Sequence, residues 1–320
     1  MGPLHRGIRT KRKMKTLKHI CFTSHGEVMF RDTEDVRHFF NMMVISAWKY
    51  QIQLLVDTEM SNHVHLILLG EQVGNFVKEL RKRYTMHFNN RYGRSGKLGE
   101  KGYFCLEISG NNHIIAAISY VLRNPLHHGV TGTAFAYRFS AINDLFREDL
   151  GKFDKPTLLK SREDIARELP RRAEFPDSFQ MTTEGWFTRE STMELRQTEL
   201  LFVSPAAFEY NMFRRTDERW KEEQMRDPGS LRPISFADIE PENAERFMQE
   251  YLRNEKAGTF RNTAAPDDFE LCRIIDREIL PAMGKRSVYE LSRQNRQEIA
   301  RFLQFQKKAT VPSIQRCLVC

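Results

Sequence analysis

The stretch QIQLLVDTEMSNHVHLILL, Gln51 to Leu69, decides the fold. Residues 51–57 and 63–69 are two apolar, β-prone runs, and the short polar TEMSN between them suits a hairpin connection. Working outward, residues 17–24 read as a strand. Residues 32–50, DTEDVRHFFNMMVISAWKY, open with acids suited to a helix N-terminus and continue with apolar residues at helical spacing. On the other side, residues 73–92 place Phe76, Leu80, Tyr84 and Phe88 on one helical stripe. Residues 102–109 read as a further strand, and residues 112–124 as a third helix stopped by Pro125. The order β-α-β-β-α-β-α predicts an α/β fold of the RRM or ferredoxin-like kind, an antiparallel-rich sheet with packed helices, followed by a mainly α-helical C-terminal region.

The 320 residues are 40% hydrophobic and 29% charged, a composition unlike disordered, collagen-like or coiled-coil chains. No apolar run approaches the ~20 residues a membrane helix requires, and the basic N-terminus has no apolar segment behind it. Five scattered cysteines fit a reducing compartment, so a cytoplasmic location is expected, nucleoid-associated in a prokaryote. The net charge of +8 is unevenly placed. Residues 1–140 hold 20 Lys and Arg against 10 Asp and Glu, leaving 30 against 32 for the rest. All ten histidines also precede residue 129. An anionic partner for the first part follows, and the compositional change near 140–150 marks a boundary. The expected division is a basic arm (1–16), a catalytic α/β domain (17–140), a helical accessory or linker region (141–235) and a helical region (236–320).

Two constellations carry chemistry. In Asn62-His63-Val64-His65 the two imidazoles lie at i and i+2 of a strand, so they project from one face and could share a divalent metal. Two partly exposed strand histidines would show the same spacing. In Ser119-Tyr120-Val121-Leu122-Arg123-Asn124-Pro125, Tyr120 and Asn124 are one helical turn apart, so a phenol and an amide share an outward line away from the Ile118, Val121 and Leu122 face. A tyrosine capping the core and an asparagine ending a helix would look alike.

Taken in order, the Asn-His-Val-His-Leu strand, the basic aromatic helix and the Tyr-x-x-x-Asn-Pro helix resemble the single-tyrosine HUH transposases, in particular the REP-associated tyrosine transposase-like branch. The resemblance covers residues 15–140. It implies that His63, His65 and Asn124 hold a divalent cation, Mg2+ or Mn2+, and that Tyr120 attacks a DNA phosphodiester. Attack would leave a 5′-phosphotyrosine and a free 3′-hydroxyl, so that a later hydroxyl reseals the strand. The implied activity is metal-dependent nicking and strand transfer on single-stranded or hairpin DNA. A non-catalytic nucleic-acid-binding derivative is the alternative, and a water-using HxH hydrolase is poorer because it leaves Tyr120 idle.

Substrate capture has its own candidates. Lys78, Arg81, Lys82, Arg83, Arg91, Arg94 and Lys97 stand against one acid, Glu79, with Tyr84, Phe88 and Tyr92 interleaved, a pattern suited to phosphate contacts and base stacking. Gly93, Gly96, Gly99 and Gly102 recur every third residue, suggesting a mobile basic loop. Further on, DPGSLRP (227–233) reads as a linker, residues 241–254 and 267–280 as helices, and Asn295-Arg296-Gln297-Glu298 as a capping box. With Pro312-Ser313 as a further helix start, this end resembles the front of a helix-turn-helix with too little chain for a complete recognition helix. The Cys317-x-x-Cys320 pair, without a second pair, points away from zinc.

Overall fold

The computed structural model describes residues 16–24, 26–214, 222 and 265–320. Its first part comprises β1 (Leu17–Thr23), α1 (Thr33–Lys49), β2 (Gln53–Met60), β3 (His63–Leu69), α2 (Val73–Tyr92), β4 (Phe104–Ile108) and α3 (Asn111–His127). The strands form one sheet in the order β2-β3-β1-β4, with every neighbouring pair antiparallel. The α/β class and element order are those expected.

The hairpin is tighter than its polar letters suggest. Glu59 and Met60 continue β2 by pairing with Val64 and His63, so only Ser61 and Asn62 turn. The Ser61 carbonyl is used from outside, accepting Met29 N–H at 2.7 Å and Phe30 N–H at 3.1 Å. The resulting register sets Cys21 opposite His65, Thr23 opposite His63, and Thr58 opposite His65 on the other side. Alternation then gathers His19, Cys21, Thr58, His63 and His65 on one face of the sheet and Ile20, Phe22, Val64 and Leu66 on the other.

Helices α1 and α2 cover the second face, where the rings of Phe22, Phe30, Phe39 and Tyr84 meet at centroid distances of 5.2–5.9 Å. Helix α1 starts at Asp32, whose side chain accepts Asp35 N–H at 3.0 Å, a cap worth about 1 kcal/mol.

Helix α3 covers the first face. It does not stop at Pro125 but runs through it to His127. Proline lacks the N–H that would bond the carbonyl four residues earlier, which is that of Val121. Thr58 Oγ1 on β2 stands 2.9 Å from that oxygen and can donate in its place, sharing its one proton with the Asp57 carbonyl at 2.8 Å. Ser140 Oγ, 3.0 Å from Thr58 Oγ1, can supply a proton in turn. The proline is tolerated because the sheet supplies the donor that the helix lost.

Behind α3, after the short α4 (Arg162–Glu168) and α5 (Arg189–Thr192), lie α6 (Leu195–Phe202) and α7 (Pro205–Phe213), which pack against it. A second core gathers α8 (Asp268–Ile274, continued by a π-turn at Ile275–Ile279 and by Leu280–Ala282), α9 (Arg293–Gln306) and α10 (Val311–Leu318) around Leu271, Ile275, Leu303 and Ile314, with Val28 contributed from the first part. Arg31 joins the two. Its guanidinium donates to both Asp276 oxygens at 2.7 and 2.8 Å and to the Cys317 carbonyl at 2.9 Å. The capping box of α9 sits three residues earlier than expected: Ser292, not Asn295, is the cap, and it accepts from Asn295 N–H. The DPGSLRP linker, the helix expected at 241–254 and nearly all of the basic arm lie outside the described residues. No described helix is long and apolar enough to cross a membrane.

Candidate active site

Because α3 lies across the face that carries the strand histidines, residues distant in sequence converge. His63 Nε2 is 2.8 Å from Asn124 Oδ1, and His63 Nδ1 is 2.9 Å from Asn62 Oδ1. The Tyr120 ring stands edge-on to His65 at 5.7 Å between centroids, and the His63 and His65 rings are 5.1 Å apart. His63, His65, Tyr120 and Asn124 thus form one cluster. The expected outward line of Tyr120 and Asn124 is not seen. They are 5% and 0% exposed, since α3 is enclosed by the sheet on one side and by α6 and α7 on the other.

Three histidines that the motif spacing missed adjoin the cluster, among them His128, whose ring lies 4.7 Å from that of His63. His19 Nε2 is 3.0 Å from His65 Nδ1, and the His127 ring lies 5.1 Å from that of Tyr120. Position offered a signal for these two. His19 is two residues before Cys21 on a strand pairing with β3, and His127 is two helical turns beyond Tyr120.

Burial governs the electrostatics. It pushes His65 down to about 3 and holds His19 and His127 well below the ordinary imidazole value, with His65 adding to the effect on His19 and Arg123 adding to that on His127. These three imidazoles are therefore neutral at physiological pH, the form a metal requires of a ligand.

His63, His65 and Asn124 bring together nitrogen and oxygen atoms of the kinds that divalent cations take as ligands. The 2.8 Å between His63 Nε2 and Asn124 Oδ1 is a hydrogen bond in which the amide oxygen accepts, and it is also near the roughly 2.9 Å between adjacent ligands of an octahedral ion. Asn124 Nδ2 is buried without a hydrogen-bond partner, so this amide is held by its oxygen alone. His65 has its Nδ1 engaged by His19, which leaves Nε2, 4.0 Å from Cys21 Sγ, as its remaining donor. Among the described residues no group of three or more His, Cys, Asp or Glu side chains is placed to hold a metal ion.

The seven basic residues of 78–97 divide by role. Arg91 binds Asp32 and Asp35, Arg94 binds Glu27 and the Lys97 carbonyl, Arg83 pairs with Glu79, and Arg81 donates to the Gly102 carbonyl. Lys78, Lys82 and Lys97 are exposed. Tyr84 and Phe88 are core residues, with Tyr84 Oη donating to the Met29 carbonyl at 2.5 Å, so they offer no base-stacking platform. Helix α2 also lies on the sheet face opposite Tyr120. The glycine loop does approach the site end of the sheet, because Glu100 N–H donates to the Thr23 carbonyl, and Thr23 pairs with His63. Arg94 stitches that loop. At Gly99 a positive φ of 77° coincides with a close approach, since a Cβ there would stand 2.8 Å from the Thr23 oxygen. Its glycine answers a tight backbone contact rather than a need for mobility.

No protein-family model matches the chain, and no curated protein does either. Among solved structures the chain is similar to a transposase candidate from Deinococcus radiodurans R1, with 18% identity and a TM-score of 0.28 over 39% of this chain and 97% of that one. It is similar also to a REP-associated tyrosine transposase bound to a REP hairpin, at 13% identity and a TM-score of 0.37 over 49% of this chain and 89% of that one.

Proposed function

We propose that the protein is a metal-dependent single-stranded DNA endonuclease and strand transferase that works through Tyr120. The observation carrying this reading is the seating of α3 on the sheet, which sets a phenol and an amide oxygen beside a strand His-x-His pair. His63, His65 and Asn124 would hold Mg2+ or Mn2+, and the ion would withdraw charge from a non-bridging phosphate oxygen. Tyr120 would form the phosphotyrosine bond as the 3′-oxygen leaves, conserving the energy of the broken ester for resealing. The substrate would be single-stranded or hairpin DNA, drawn by the basic excess of the first 140 residues.

The test is incubation with labelled hairpin-flanked single strands and Mn2+, followed by a denaturing gel. The wild type yields a covalent adduct, Tyr120→Phe yields none while its DNA affinity stays within a few-fold, and His63→Ala loses the metal-dependent reaction. Undiminished nicking by Tyr120→Phe would remove the nucleophile assignment. A second reading, a nucleic-acid-binding protein without turnover, is favoured by the burial of Tyr120. It predicts hairpin binding with no adduct from the wild type.

A further inference from the structure

We propose that His19 is a positioning residue that accepts a hydrogen bond from His65 Nδ1–H and so keeps the Nε2 lone pair of His65 available to a divalent cation. This rests on the reading of His65 as a ligand. The two imidazoles meet at 3.0 Å between His19 Nε2 and His65 Nδ1, both wholly buried, with their rings 5.2 Å apart and nearly parallel. Each neutral ring carries one proton, and their shared hydrogen bond needs one N–H and one lone pair. Two arrangements are open. If His19 Nε2–H donates, His65 must carry its proton on Nε2, which closes that nitrogen to a metal. If His65 Nδ1–H donates, its Nε2 carries a lone pair, 4.0 Å from Cys21 Sγ, and the proton of His19 sits on Nδ1.

Ligation by His65 through Nε2 requires the second arrangement, in which His19 is the acceptor. Its Nδ1 is buried with no hydrogen-bond partner, and the ring stands at steep angles to two aromatic neighbours, Phe104 at 5.7 Å and Tyr120 at 6.4 Å. Metal-binding histidines are commonly oriented by an acceptor on the nitrogen that faces away from the metal, and here that acceptor is another imidazole.

The experiment is long-range 1H–15N correlation NMR of the metal-free full-length protein, with Mn2+ affinity measured by calorimetry in parallel. The wild type should show His65 protonated at Nδ1 and His19 likewise at Nδ1. His19→Phe should lose that His65 pattern and about 10- to 100-fold in Mn2+ affinity. His19→Gln, whose amide oxygen can accept the same proton, should restore both. An Nε2–H tautomer at His65 in the wild type overturns the proposal, as does Mn2+ affinity equal within twofold in wild type and a folded His19→Phe. If folded wild type binds no Mn2+, the ligand assignment falls, and the metal-free spectrum still decides the tautomer.

Discussion

At the scale of single residues the protein places unusual groups in its interior. Glu59 is wholly buried, and burial holds its carboxyl well above the ordinary value, with neighbouring Asp57 pushing the same way and Arg189 opposing. Arg189 meanwhile binds Asp57 at 2.7 Å and Asp144 at 3.2 Å. A raised carboxyl means the folded chain keeps a proton that the unfolded chain has lost. Stability is therefore fullest below the ordinary glutamate value of about 4.3 and falls as pH rises from there towards the folded-state value. Glu59→Gln should remove that part of the decline, so urea unfolding between pH 4 and 8 should show a shallower slope and a more stable variant at pH 7. An unchanged slope would place the proton elsewhere. Much of the site was legible at this scale, because i and i+2 on a strand and i and i+4 on a helix are geometric statements. His19 was not, since its relation to His65 depends on which strands pair and in what register.

At the scale of elements, the seating of α3 on β2 depends on one hydroxyl. Thr58→Val keeps the shape of the side chain and removes the donor that replaces the missing N–H of Pro125, leaving the Val121 carbonyl buried and unpaired. The expected loss is about 1–3 kcal/mol in chemical denaturation. Restoring the helical donor with the double change Thr58→Val and Pro125→Ala should recover most of it. If Thr58→Val is neutral, the helix end is held by packing alone. Strand and helix order were legible from apolar spacing, whereas the ends were not. Pro125 read as a stop because the donor that rescues it is more than 60 residues away. The TEM of the hairpin read as turn because Glu59 is an acid, and only its pairing with Val64 makes it strand.

At the scale of the whole molecule, charge divides into cations that hold the structure and cations free to meet a strand. Affinity for single-stranded DNA should fall with salt at a log-log slope of about −0.7 per phosphate neutralised. Alanine at Lys78, Lys82 and Lys97 together should flatten that slope without loss of stability, as read by fluorescence anisotropy alongside thermal melts. Arg91→Ala should instead destabilise by about 1–2 kcal/mol, because buried Asp35 loses an ion pair and keeps its bonds from Arg31 N–H and Tyr92 Oη. A salt-independent affinity would remove the nucleic-acid reading of the basic excess. The enclosed phenol adds a kinetic consequence. If Tyr120 is the nucleophile proposed above, its enclosure between the sheet and its own helix α3 means that saturating DNA cannot drive adduct formation faster than that seam parts. The maximal rate then becomes a clock for local opening, rising with temperature as steeply as unfolding does and speeding up in variants that loosen α3.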